Sequence, residues 1–100
     1  MKELTKHIDQ IRALCKANKV ATLFAFGSIT SDKFTSESDI DLIIDIDEND
    51  PLEYTDHYFA VKDELSKILN RPIDLLENKS LKNSFLKKEI EQSKVLVYGR

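Results

Sequence analysis

Cysteine occurs once in this chain of 100 residues, tryptophan not at all, and glycine, proline and histidine twice each. With Cys15 alone, no disulfide can close within the chain and no multi-cysteine zinc site can form, and only His7 and His57 offer imidazole ligands. A bound metal would have to be held by oxygen. No apolar run approaches the roughly 18 residues of a membrane-crossing helix, and the opening MKELTKHIDQ lacks the continuous apolar stretch of a signal peptide. The expected location is the cytoplasm, with no membrane partner. Basic excess is missing too: 15 Lys and Arg against 18 Asp and Glu give a net charge of −3, which argues against nucleic acid as a main partner. What the chain does have is 41% hydrophobic and 33% charged residues, enough for a packed interior under a charged shell. At this length about two-thirds of the unfolded surface can be buried, around a single core, so a multidomain enzyme is excluded.

Leu4, Ile8, Ile11, Leu14 and Cys15 recur at helical spacing, which predicts an amphipathic helix over residues 3 to 18 with Cys15 in the core. Residues 20 to 26, VATLFAF, read as a strand buried on both faces, ended by Gly27. Residues 39 to 47 alternate, with Ile40, Leu42, Ile44 and Ile46 on one side and Asp39, Asp41, Ile43, Asp45 and Asp47 on the other. That pattern predicts a strand with one core face and one acidic face. Asp50, Pro51 and Glu53 mark the start of a helix that runs to Asn70, where Arg71 and Pro72 break it. Residues 73 to 76 read as a third strand carrying Asp74, residues 80 to 92 as a last helix, and residues 95 to 98 as a fourth strand or an apolar tail. The sequence contains no repeat, low-complexity tract or linker. The expectation is one α/β (α+β) domain over residues 1 to 100, a small mixed sheet with helices packed on it.

One constellation can carry chemistry. The first strand runs directly into Gly27 and Ser28, a glycine that lets backbone approach a phosphate and a hydroxyl that can donate to one. The second strand opens with Ser38, Asp39, Ile40 and Asp41; carboxylates two apart leave the same face about 6 to 7 Å apart at Cα, close enough to converge on a hard cation such as Mg²⁺ or Mn²⁺. At about 5 Å and an effective dielectric near 20, two such charges repel by roughly 3 kcal/mol, which a divalent cation turns into attraction. If the third strand lies beside the second, Asp74 faces the same site as a base for an attacking hydroxyl and a further metal ligand. Taken alone, a Gly-Ser after a strand is a turn and an Asp-x-Asp is a solvated face; the combination points to a phosphoryl-transfer centre. Cys15, His7 and His57 lie outside it. The acidic run through Asp45, Asp47, Glu48 and Asp50 reads as a solvated strand end, and Tyr54 and Tyr58 as core.

FAFGS at 24 to 28, SDIDLII at 38 to 44, IDLLE at 73 to 77 and the ending EIEQSKVLVYG together resemble the minimal nucleotidyltransferases of the DNA polymerase β superfamily, small proteins usually paired with a helical HEPN partner in prokaryotic toxin–antitoxin modules. The resemblance covers nearly the whole chain. It implies transfer of a nucleoside monophosphate, commonly AMP from ATP, to an acceptor hydroxyl, in antitoxin members a tyrosine of the partner toxin. By position it implies Gly27 and Ser28, with Ser38, as nucleotide contacts, Asp39 and Asp41 as metal ligands, and Asp74 as the third catalytic carboxylate. After Gly-Ser the family usually carries an arginine, whereas this chain has Ile29, Thr30, Ser31 and Asp32. Lys33 is the nearest cation able to replace it. The rival expectation is a binding module that neutralises its partner by occlusion while its own site is degenerate.

Overall fold

The computed structural model describes residues 1–99. The first helical stretch is two helices, α1 (Lys2–Thr5) and α2 (Ile8–Ala17), because the backbone leaves helical geometry at His7, with φ −116° and ψ 19°. Leu4, Ile11 and Cys15 nevertheless share one buried stripe, so the helical periodicity survives the break. β1 (Val20–Phe26) leads into a 3-10 turn at Gly27–Thr30, and β2 (Ile40–Ile46) follows an irregular loop. α3 (Pro51–Leu69) starts where Asp50 Oδ1 accepts the Leu52 N–H at 3.0 Å ahead of Pro51, and stops at Asn70 in the left-handed region, φ 53°. After β3 (Ile73–Glu77) a second 3-10 turn, Asn78–Ser80, takes Ser80, and residues 81 to 83, also expected to be helical, form no regular element. α4 (Ser84–Ser93) therefore begins later, where Asn83 Oδ1 accepts the Leu86 N–H at 3.1 Å. Residues 95 to 98 form a true strand, β4 (Val95–Tyr98).

The sheet order is β3-β2-β1-β4, with β1 antiparallel to both neighbours and β2 parallel to β3, so the sheet is mixed as expected. α3 is the crossover that a parallel pair requires. One face of the sheet, through Leu23, Ala25, Ile40, Leu42, Ile44, Ile73, Leu75 and Val97, packs with Ile11, Cys15, Val61 and Leu65 of α2 and α3 into the main core. At about 25 cal/mol per Å² this apolar burial is the chief stabilising term. The opposite face is covered only in part, where α4 sets Ile90 near Phe24 and Ile43. β1 is accordingly not buried on both faces: Leu23 and Ala25 are fully buried, Thr22, Phe24 and Phe26 half-buried, and Ala21 exposed. The partly open face lies over β1, β2 and β3, and the candidate residues lie on it.

Candidate active site

Strand alternation places Asp41 on the face opposite Leu42 and Ile44, and the registers align three strands at that level. Phe26 of β1 pairs with Asp41 of β2, and Asp41 pairs with Asp74 of β3. Two residues along β2 the row is apolar, with Phe24, Ile43 and Leu76 in register. Gly27 follows Phe26 at φ 75°, and a Cβ added there would stand 2.7 Å from Asp41 Oδ2. A glycine is therefore required twice over, by its backbone angle and by the carboxylate against it. Asp39 lies one residue before β2 and is exposed, as is Asp74, while Asp41 is half-buried. The sequence-predicted Gly27, Asp41 and Asp74 thus meet in one row, with Asp39 at its edge.

The electrostatics of the row is that of uncompensated like charge. Burial first, then Asp74, then Asp39 push the Asp41 carboxyl above its ordinary value of 3.8, with no hydrogen bond or cation among the causes. Among the described residues, no group of three or more His, Cys, Asp or Glu side chains forms a ready-made metal cage. Three like charges do not close together without a cation to offset their repulsion. The donor set still suits a hard cation: only carboxylate oxygens are offered, and Mg²⁺ is commonly held by one or two carboxylates together with substrate phosphates. Asp39 and Asp41 are the residues that could supply that pair, with Asp74 on the neighbouring strand.

The turn after β1 is built around Ile29, which is 2% exposed and anchors it in the core. Thr30 Oγ1 donates to the Gly27 carbonyl at 2.8 Å, and the Ser31 N–H and hydroxyl both donate to the Ser28 carbonyl at 3.0 Å. Ser28 itself is half-buried next to Gly27. Lys33 is exposed, and among the described residues neither it nor Asp32 joins an ion pair. The Ser38 hydroxyl is occupied within its own loop, accepting the Thr35 N–H at 3.0 Å and lying 3.2 Å from Thr35 Oγ1. A cavity of about 390 Å³ opens beside Phe26 and Gly27 against Leu86, Glu89, Ile90, Gln92 and Ser93 of α4. Larger hollows of about 660 and 550 Å³ lie around Val20 and Ala21, at the other end of β1, and hold none of the candidate residues.

Several residues outside the row have structural duties. Cys15 is fully buried, and burial pushes its thiol up to about 12, so it is inert core. His57 Nδ1 lies 2.9 Å from Asn18 Oδ1 and ties α3 to the end of α2. Tyr54 donates to Glu77, and burial followed by that carboxylate raises its hydroxyl well above the usual value. In the acidic run, Glu48 pairs with Lys19 at 2.9 Å and Asp50 caps α3. Arg71, read from sequence only as a helix breaker, contacts the loop before β2; such a long-range contact has no local sequence signal.

A family model for polymerase beta nucleotidyltransferases matches residues 9–100. The chain belongs to that family. Two proteins of Methanocaldococcus jannaschii named as protein adenylyltransferases are 37% identical over 79 residues and 34% identical over 80 residues, each match covering 79% of this chain and 78% of the relative. Among solved structures, a minimal nucleotidyltransferase superposes with a TM-score of 0.77 at 19% identity, covering 94% of this chain and 92% of that one. A chain of the Shewanella oneidensis complex of a tri-AMPylated HEPN toxin with its MNT antitoxin superposes with a TM-score of 0.66 at 18% identity, over 96% of this chain and 72% of that one. A toxin–antitoxin crystallised with AMP-PNP gives a TM-score of 0.71 at 20% identity, over 93% and 73%. At these identities the structural likenesses establish the minimal nucleotidyltransferase fold. The chain is a nucleotidyltransferase of the polymerase beta family, and none of its described helices is long and apolar enough to cross a membrane.

Proposed function

We propose that residues 1 to 100 act as one cytoplasmic nucleotidyltransferase domain, dependent on Mg²⁺ or Mn²⁺, that moves AMP from ATP to a hydroxyl of a partner protein. The reading is carried by one observation, the register that sets Asp74 opposite Asp41 beside the Gly27–Ser28 turn. The tri-AMPylated toxin of the fold relative supports a protein acceptor of HEPN type; that the accepting hydroxyl is a tyrosine's is our own proposal. Gly27 and Ser28 hold the triphosphate end, by backbone approach and a hydroxyl donor. Asp39 and Asp41 supply the oxygens for the cation, which when bound offsets phosphate charge and the repulsion within the row. Asp74 takes the proton of the acceptor hydroxyl as its oxygen bonds to the α-phosphorus, the bond from the α-phosphorus to the α,β-bridging oxygen breaks, and pyrophosphate leaves. Ser38 organises the loop that carries Asp39, and Lys33, at the exposed turn, is the free cation nearest in sequence to the phosphates.

Labelled ATP incubated with the chain and a HEPN-type partner protein tests this. Label should pass to the partner with wild type, and Asp74→Asn should still bind ATP and metal while transfer falls by about 10²- to 10⁴-fold. Loss of ATP binding in that variant would make Asp74 a ligand and send the search for a base elsewhere. One observation favours a second reading: residues 29 to 32 place no arginine at the turn and put Asp32 there instead. An antitoxin acting by occlusion would neutralise its partner equally well with Asp39, Asp41 and Asp74 all changed to asparagine, and label would appear on neither protein.

A further inference from the structure

Asp39 is the least supported carboxylate of the row. It precedes β2, is exposed, and ends the long irregular loop that follows the Gly27–Thr30 turn. The peptide units on both sides of it are nonetheless fixed by the adjacent residues Arg71 and Pro72. On its N-terminal side, Arg71 Nη1 donates to the Ser38 carbonyl at 2.8 Å and to the Thr35 carbonyl at 2.9 Å. On its C-terminal side, the Ile40 N–H donates to the Pro72 carbonyl at 3.2 Å. Arg71 also stacks its guanidinium 4.4 Å above the Phe34 ring, which packs against the core. Thr35 and Ser38 close a turn of their own, with the Ser38 N–H donating to the Thr35 carbonyl at 3.1 Å. Arg71 thus grips both carbonyls of an already closed turn. Among the described residues it joins no ion pair, so its donors are not diverted to a carboxylate.

The chemistry suits arginine and no other residue. One nitrogen, Nη1, donates to two carbonyls through charge-assisted hydrogen bonds while the flat guanidinium lies over a ring face, a stacking that lysine's compact ammonium does not reproduce. Arg71 stands three residues before Asp74, at the entry to β3, and Pro72 adjoins Ile73, which pairs with Ile40. One short segment, residues 71 to 74, therefore sets the position of Asp39 from outside and presents Asp74 from inside. We infer that Arg71 is a positioning residue that holds Asp39 in place for the cation shared with Asp41. The inference rests on the reading of Asp39 and Asp41 as metal ligands and names the residue that makes them a usable pair.

Mn²⁺ binding followed by electron paramagnetic resonance tests it without reference to turnover. In Arg71→Ala the dissociation constant should rise about 10-fold or more, the usual penalty for losing a residue that orients a ligand. Arg71→Lys, which keeps the charge but not the flat guanidinium over Phe34, should fall between, and it carries the test if the alanine variant does not fold. The Ser38 amide, protected through Thr35, should exchange with solvent faster in both variants. The deciding measurement is a cycle: in an Asp39→Asn background, Arg71→Ala should weaken Mn²⁺ binding by less than about 2-fold, because the ligand it positions is already gone. Unchanged Mn²⁺ affinity in Arg71→Ala, or the full loss persisting in the Asp39→Asn background, overturns the positioning role and leaves the site standing. A wild-type chain whose Mn²⁺ binding ignores Asp39→Asn and Asp41→Asn overturns the site itself, and the positioning role with it.

Discussion

Asp41 and Asp45 leave the same face of the same strand, yet they live in opposite circumstances. Asp45 Oδ2 accepts from the Thr22 hydroxyl at 3.3 Å and from the Asn78 side-chain amide at 3.2 Å, neutral donors supplied by the strands and turn beside it. Asp41 faces Asp74 and a glycine instead, with Asp39 beyond, and its carboxyl is pushed up by burial and by those two charges. A carboxylate that the protein satisfies is part of the structure. One that the protein half-buries among like charges, without a donor, is kept for something that is not protein. The apolar row of Phe24, Ile43 and Leu76 separates the two, so the acid tied into the structure and the acid proposed for the chemistry stand apart on one strand.

The largest test of that contrast is activity. Asp41→Asn should reduce adenylyl transfer by more than about 100-fold, since the charge stabilisation a cation provides is worth several kcal/mol, whereas Asp45→Asn should stay within about 3-fold of wild type. Comparable losses at both positions, measured with labelled ATP, would erase the distinction. A second variant attacks the geometry rather than the charge. Gly27→Ala puts a methyl 2.7 Å from Asp41 Oδ2 on a backbone at φ 75°, and should destabilise the fold by about 1 to 3 kcal/mol while depressing transfer. Thermal unfolding should show a lowered midpoint; an unshifted one would mean the turn and Asp41 can part freely.

The smallest effect is also the most direct report on repulsion. Because the folded-state pKa of Asp41 is raised above its unfolded value of 3.8, its stabilising contribution is complete below about that pH and is lost as pH rises through the folded value. At neutral pH the ionised carboxylate therefore opposes folding. Asp41→Asn, without metal, should be slightly more stable than wild type at pH 7, solvent screening having reduced the effect. The difference should vanish near pH 3, and added Mn²⁺ should stabilise only the wild type. A variant less stable than wild type at pH 7 would show that Asp41 is held by favourable contacts after all.

Much of this was legible in the chain. The alternation through Ile40, Leu42 and Ile44 gives β2 and both its faces, Asp50 with Pro51 gives the start of α3, and Gly-Ser with the spaced aspartates gives the elements of the site. Local pattern could go no further where tertiary context decides. VATLFAF is apolar but for Thr22, and only the partial cover by α4 determines that Phe24 and Phe26 stay half-open. The break at His7 is invisible to a periodicity that Leu4 and Ile11 continue to obey. Residues 80 to 83 look helical until Asn83 takes the capping position. Arg71 is the clearest case: beside a proline it reads as punctuation, and its use depends on a loop far away in sequence.

The parallel pairing of β2 with β3 carries a consequence for how the molecule comes together. β1 and β2 pair antiparallel across one loop, so Gly27, Ser28 and Asp41 can be gathered by an early, comparatively local event. Asp74 arrives only when the whole of α3 has formed and carried β3 back alongside β2, a closure whose entropic cost falls late. The mutual repulsion of Asp41 and Asp74 is therefore met when that edge strand docks. A nascent chain would gather Gly27, Ser28 and Asp41 before it held the group proposed to start the chemistry.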